Sequence, residues 1–304
     1  MIITYGTHSN MIDVTEICKS QLKYQDVIII PKGDHVRARY FTDPVHGSLK
    51  SIFIKHGGRT TQCDESAPIY IDCKTNNVWT KDVPDHIKQA DIQEKINSIH
   101  KELQLKHGSF DDELPEQRMA VRYLTGVETV LEIGGNVGRN SLVIAHILRT
   151  RNNNRFVVLE SDPDIALQLR ENRDANTFDF AIEESALSKR PLIQEGWQTI
   201  VSDVVLSGYK PVKTITYSDL IQKYHLQFDT LVLDCEGAFY YILKDMPEVL
   251  TNITLIIMEN DYTDITHKQY IDDILRTSGF HVDYCEAGGW GPCYNQFFQV
   301  WKRT

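Results

Sequence analysis

No apolar run in this chain reaches the eighteen or so residues that a membrane-spanning helix requires, so no span is expected. Basic residues are in deficit. The 304 residues carry a formal net charge of -10, and the pI is about 5.6. A phosphate backbone is gripped by clustered Lys and Arg, so nucleic acid is not the expected partner, although a local basic groove can sit within an acidic total. No two of the 6 cysteines stand at C-x-x-C spacing, which argues against a structural zinc site. The start, Met1-Ile2-Ile3-Thr4-Tyr5, passes straight into polar residues. It has no basic segment followed by an apolar stretch and a small-residue cleavage site, so no signal peptide is expected. A cytoplasmic location with reduced thiols follows as the expectation, and Cys285 and Cys293 read as free thiols on neighbouring strands. Internal repeats and low-complexity segments are missing too. What is present is an ordinary 41% of hydrophobic residues, enough for a packed core.

Three regions separate by pattern. Residues 1–75 alternate short β-branched runs (Ile2 to Tyr5, Val27 to Ile30, Ser51 to Ile54, Ile69 to Ile71) with turn signals such as Pro31-Lys32-Gly33-Asp34 and Gly57-Gly58. They read as a small β-rich accessory domain. Within it, Asp34 to Gly47 reads as a long loop anchored by ion pairs, with an acceptor-binding or oligomerisation surface as the alternative. Residues 76–110 read as a helical linker. Ile92, Ile96, Ile99 and Leu103 recur at helical spacing among Lys, Glu and Gln, and this stripe packs on the protein's own body or, alternatively, forms a homodimer contact. From 111 to 304, strands (Thr129 to Ile133, Phe156 to Leu159, Phe178 to Ile182, Thr230 to Leu233, Leu255 to Met258) alternate with helices (Asn140 to Leu148, a helix from Asp162-Pro163, Ala238 to Lys244, His267 to Ser278). That rhythm predicts an α/β fold with a parallel sheet covered on both faces. Phe280 to Cys285 and Phe297 to Trp301 break it and predict an antiparallel hairpin at a sheet edge.

The chemistry concentrates after the first strand of this last region. Glu132-Ile133-Gly134-Gly135-Asn136-Val137-Gly138-Arg139-Asn140 joins that strand to a helix. Glycines there allow a sharp turn and close ligand approach, and the helix start offers free N–H groups. The next strand ends at an acid, Glu160, about twenty residues on, where a carboxylate accepts hydrogen bonds from ribose hydroxyls. These features together point to an adenosine-containing cofactor. The dinucleotide pattern G-x-G-x-x-G is absent. Glu132, just before the first glycine, would repel a pyrophosphate and suits the ammonium or sulfonium of S-adenosylmethionine.

Several motifs in order then resemble a known family. Glu132 to Gly138 resembles the D/E-x-G-A-N-x-G signature of FkbM-type methyltransferases. Thr214 to Leu220, followed by Phe228 to Ala238 (Phe-Asp-Thr-Leu-Val-Leu-Asp-Cys-Glu-Gly-Ala), is similar to that family's second signature. Leu255 to Asn260 is similar to its next strand with a terminal acid. The resemblance spans about residues 115 to 304. It implies a Rossmann-like class I methyltransferase sheet ending in an antiparallel hairpin, and methyl transfer to hydroxyl oxygens of sugars or other small polar acceptors. The sequence departs from the pattern at Gly135, Ser218, Val232 (often Lys in the family) and Phe239 (usually Glu).

The expected cofactor contacts are Glu132, Gly134, Gly135, Asn136, Gly138, Asn140, Glu160, Ser161, Ser185, Ala186 and Asp234. Asp234 and Glu236, at the ligand-binding end of a central strand, are the candidate catalytic bases, Asp234 first. Asp234 has a second reading as partner of the methionine ammonium, and Glu236 as a helix cap. Glu259, Asn260, His267 and Trp290 are the candidate acceptor contacts, His267 alternatively a solvated first-turn residue and Trp290 alternatively packed inward. Glu116, Gln117 and Arg118 stand a helix length before the first strand and could reach the site. A divalent metal bridging Asp234 and Glu259 is left open. The leading reading is an S-adenosylmethionine-dependent O-methyltransferase acting on a sugar of a glycan or glycoconjugate. A methyltransferase for a nucleoside, lipid or secondary metabolite, a non-catalytic scaffold and, more distantly, a nicotinamide dehydrogenase are its rivals.

Overall fold

The computed structural model describes residues 1–196 and 198–303, and the chain divides into two compact units, Met1–Asn97 and Ser98–Thr304. The first unit holds two antiparallel sheets of four strands each. In one, Ile2–Thr7 pairs with Asn10–Asp13 and with Ser51–His56, which pairs in turn with Arg59–Cys63. In the other, Val27–Ile30 lies between Lys23–Tyr24 and Ile69–Asp72, and Val78–Trp79 closes the edge. Ile3, Tyr5, Ile28, Ile30, Ile52, Ile54, Ile69 and Ile71 bury together as one core.

The expected loop from Asp34 to Gly47 begins instead as a helix, Asp34–Phe41. It has no continuous apolar stripe, and tertiary hydrogen bonds hold it. The fully buried Arg37 guanidinium donates to the carbonyls of Pro31, Asp64 and Ala67. The expected ion pairs are present beside it, with Lys50 Nζ 3.0 Å from both Asp34 and Asp43.

The helix Asp85–Glu102 follows the expected stripe, and Ile92, Ile96, Ile99 and Leu103 are all buried. In the second unit the sheet has seven strands: β1 (Val130–Ile133), β2 (Phe156–Leu159), β3 (Ala181–Glu183), β4 (Thr230–Leu233), β5 (Leu255–Glu259), β6 (Phe280–Glu286) and β7 (Phe298–Arg303). Their spatial order is β3-β2-β1-β4-β5-β7-β6. The first five are mutually parallel, β7 runs antiparallel to β5, and β6 pairs antiparallel with β7. This is the Rossmann-like arrangement with a terminal antiparallel hairpin. The hairpin connection includes a short 3₁₀ segment, Gly291–Gln296.

Strand residues alternate between two apolar layers, as a sheet covered on both faces requires. Leu131, Ile133, Leu231, Leu233, Ile256 and Met258 face helices α4 (Tyr217–Tyr224), α5 (Ala238–Asp245) and α6 (Ile265–Thr277). Val130, Val158, Val232 and Ile257 face α1 (Leu114–Tyr123), α2 (Arg139–Arg149) and α3 (Pro163–Ala175). Asp162 caps α3, its side chain accepting from the N–H groups of Asp164 and Ile165. The third strand is shorter than its Phe178 to Ile182 reading. Beyond it, an unforeseen three-stranded antiparallel sheet (Leu192–Glu195, Gln198–Val201, Lys210–Val212) precedes α4.

Candidate functional site

Strand order reverses direction at β1, whose neighbours β2 and β4 are reached by crossovers to opposite sides. Open α/β sheets bind ligands at the carboxyl ends of the strands flanking such a point. The glycine loop from Gly134 to Gly138 lies there, and its glycines are required by close packing. At Gly134 (φ +90°), a Cβ would stand 1.6 Å from the carbonyl oxygen of Asp234. At Gly135 it would meet Val158 at 2.2 Å, and at Gly138 (φ +93°) Leu169 at 2.4 Å. The N–H groups of Gly134 and Gly135 both donate to Leu159 O at 3.0 Å, pinning the loop to the end of β2.

Glu160 locks the loop from the other side. One carboxylate oxygen accepts from Asn136 N and the other from Asp162 N, each at 2.9 Å. Asn136 takes a left-handed conformation, φ 45°, which Asn tolerates better than most residues. Burial raises the Glu160 carboxyl above its ordinary range, partly offset by these N–H donors. Ser161 donates to Gln194 at 3.3 Å, and Ser185 is buried and donates to Glu183 at 2.9 Å. Ala186 pairs with Thr214 in a two-stranded parallel ladder next to that serine.

Glu132 is fully enclosed. It accepts from Ser141 Oγ and from Asn140 Nδ2, and burial lifts its carboxyl to about 8. Asn140 also gives its backbone N–H to Glu113 at 3.3 Å, while its Oδ1 is buried without a donor. Glu113 binds Arg139 at 2.7 Å, and Asp112 pairs with the same guanidinium at 3.2 Å.

On the β4–β5 side of the switch point, carboxyl groups gather. Asp234 follows β4, Glu236 lies in the turn into α5, Glu259 ends β5, and Asp261 comes two residues later. Glu116 on α1 bears on Glu259 from the same side and raises its carboxyl. Burial, helped by Glu113, Glu116, Asp261 and Glu236, drives the Asp234 carboxyl well above its usual range. Burial, with Glu116, Asp234 and Asp261 adding, pushes the Glu259 carboxyl in the same direction, and burial, with Glu236 adding, lifts Asp261 to about 6. Glu236 is exposed and held at φ 50°, with Gly237 at φ 77° beside it. Left-handed geometry at a non-glycine residue costs energy and is concentrated at functional turns. Gly237 takes the cap position of α5, and no side chain caps the helix there. Its N–H donates to Asp261 at 2.8 Å. Among the described residues, no group of three or more His, Cys, Asp or Glu is arranged to hold a metal ion.

The remaining candidates sit apart in role. Asn260 is fully buried and braces the returning hairpin, donating to the carbonyls of Gln296 and Phe297 and to Gln299. His267 lies at the start of α6 and stacks on Tyr240 of α5, ring centroids 3.7 Å apart. Trp290 is 47% exposed rather than packed inward. Sequence reading passed over Glu113 and Asp261, although each adjoins a flagged segment. Nothing local marks them as inward-facing, because the strand and helix that aim them are set by tertiary packing.

No family model matches the chain, and no curated protein matches it either. Solved structures similar to it include a ribosomal protein L11 methylase from Lactobacillus delbrueckii subsp. bulgaricus, 12% identical, covering 66% of this chain and 82% of that one, with a TM-score of 0.41. An O-methyltransferase from Bacillus cereus, solved in complex with SAH, is 12% identical over 70% of this chain and 89% of its own, with a TM-score of 0.39. A protein of the NADB-Rossmann superfamily from Streptococcus agalactiae is 9% identical over 62% and 67%, with a TM-score of 0.39. The fold assignment rests on the strand order and register described above.

Proposed function

We propose that this chain is an S-adenosylmethionine-dependent O-methyltransferase acting on a hydroxyl of a sugar in a glycan or glycoconjugate. The observation that carries the cofactor is the edge of the sheet at β1 and β4. A tight glycine loop stands between an acid suited to ribose and a set of carboxyls, and buried acceptor oxygens there lack donors. Unpaired buried acceptors cost about 1–3 kcal/mol each and favour a ligand that brings donors or positive charge. A pyrophosphate would meet Glu132, Glu113 and Asp234 instead.

S-Adenosylmethionine, when bound, supplies a methyl group on a cationic sulfonium together with an ammonium. Glu160 would keep its two backbone partners and use its remaining lone pairs for the ribose hydroxyls. Ser161, Ser185 and Ala186 would lie along the adenine side, past β2 and β3. Glu132 and Asn140 would lie at the ammonium end, and Asp234 acts as base in preference to its second reading as partner of that ammonium. Asp234, made more basic by burial, would hold the acceptor's hydroxyl proton, with Glu236 as its neighbour across the turn. The hydroxyl acceptor is favoured by the resemblance to FkbM-type methyltransferases. The sugar is favoured by the exposed indole of Trp290, a flat face suited to a pyranose ring.

The test is transfer of labelled methyl from S-adenosylmethionine to a panel of mono- and oligosaccharides. At least one sugar should be methylated on oxygen, and Asp234→Asn should lower kcat at least a hundredfold while cofactor affinity changes less than tenfold. Transfer only to non-sugar acceptors would overturn the substrate assignment, and full turnover by Asp234→Asn would remove it as base.

A further inference from the structure

On the other flank of the switch point, three donors converge on one buried carboxylate. Glu183 ends β3 opposite Leu159 of β2 and is 6% exposed. Its Oε1 accepts from Ser185 Oγ at 2.9 Å. Its Oε2 accepts from Lys223 Nζ at 2.6 Å and Tyr224 Oη at 2.8 Å, both in the last turn of α4. Burial alone would raise this carboxyl, but the three donors, Lys223 first, outweigh it and hold it below its ordinary range. Glu183 is therefore an anion, and an ionised carboxylate only accepts.

The backbone fixes where this cluster lies. The Glu183 carbonyl oxygen accepts from Glu160 N at 3.1 Å and from Ser185 N at 2.9 Å. Ser185 thus stands one shared acceptor away from the acid proposed to hold the ribose, where the base attached to that ribose would come to rest. The neighbouring Ala186 N–H is spent on Lys213 O at 2.8 Å. The Ser185 hydroxyl has a single hydrogen, and it goes to Glu183. What Ser185 has left to offer a base is oxygen lone pairs. They suit an amino group, whereas an oxo group would set acceptor against acceptor in a buried place.

We propose that Glu183, held by Lys223 and Tyr224, makes Ser185 an obligate acceptor and so selects a 6-amino purine over a 6-oxo purine in the cofactor site. This rests on the S-adenosylmethionine reading of the sheet edge. Glu183 touches no ligand itself. It is a positioning residue that sets the hydrogen-bond polarity of Ser185, and a site built to one polarity rejects the analogue of the other.

Isothermal titration of the full chain with S-adenosylhomocysteine first tests the underlying reading, and absence of binding removes both. S-Inosylhomocysteine, which differs only in carrying an oxo group for the 6-amino group, then tests the inference and should bind at least tenfold more weakly. Glu183→Gln is the decisive variant. Lys223 can only donate, so it draws the amide oxygen to its side and leaves the amide nitrogen to donate to Ser185. The serine hydrogen then turns towards the base, and the preference should fall at least fivefold or reverse. Ser185→Ala, which removes the acceptor without touching Glu183, should bring the two ligands within threefold of each other and keeps the test open if Glu183→Gln fails to fold. Equal binding of the two ligands by the parent overturns the inference and leaves the methyltransferase reading intact. So does an equal loss of affinity for both in Glu183→Gln, which would make Glu183 a structural support only, and so does an unchanged ratio in Ser185→Ala.

Discussion

Glu132 shows how a single buried group sets a measurable property of the whole chain. In the folded protein its carboxyl titrates near 8, against an ordinary 4.5, because burial disfavours the charged form. Between those values the folded state keeps a proton that the unfolded state has released. Glu132's contribution to stability therefore falls as pH rises from about 4.5 to about 8, and levels off above that window. Asp261, lifted to about 6, adds a slope of the same sign at its lower end. The ligand-free protein is thus expected to melt at a lower temperature at pH 8 than at pH 5.5. Glu132→Gln mimics the protonated acid and keeps an acceptor for Ser141, so it should reduce that difference by Glu132's share, with Asp234, Glu259 and Asp261 carrying the rest. Thermal melts across the window check this, and an undiminished slope in the variant would assign the effect to other groups. At this scale the glycine loop and the acid beside it were legible, because the close packing at Gly134, Gly135 and Gly138 leaves glycines in the sequence and Glu160 stands where β2 ends. Glu113 and Asp261 were not, since what makes them site residues is the direction in which neighbouring elements aim them.

Individual elements carry the next level. The alternating pattern of strands and helices from 111 onward translated into the parallel sheet because each strand is a short, largely apolar run buried on both faces. The terminal hairpin was legible for a similar reason, and the buried amide of Asn260 fastens its return to the end of β5. The helix Asp34–Phe41 and the sheet from Leu192 to Val212 were not legible. The first depends on carbonyls that Arg37 gathers from distant segments, and the second is a small, largely exposed sheet with little burial to impose a period on its residues. Strand register also yields a test. Glu132 of β1 lies opposite Val232 of β4, so the two side chains share a face, and Val232 stands where the resembling family often has Lys. Val232→Lys should place an ammonium beside Glu132, remain folded and reduce the fall in melting temperature between pH 5.5 and 8. A buried charge without a partner costs several kcal/mol, so an unfolded variant would mean that the two side chains do not meet.

Across the whole molecule, the second unit presents one sheet edge with Glu160 past β2 and the carboxyls of Asp234 and Glu259 at β4 and β5, the edge proposed to take the cofactor. Among the described residues, no helix is long and apolar enough to cross a membrane. The first unit is a separately packed β-rich body, and its own hydrogen-bonded scaffold around Arg37 and Lys50 accounts for the charged residues that stood out in its sequence. The central claim is that the sheet edge takes a cationic adenosine cofactor. Isothermal titration of the full chain with S-adenosylmethionine, and separately with NAD⁺, tests it most directly. Binding of S-adenosylmethionine, weakened at least tenfold by Glu160→Ala, with no binding of NAD⁺, is the predicted result. Binding of NAD⁺ alone, or of neither compound by the folded protein, would contradict it.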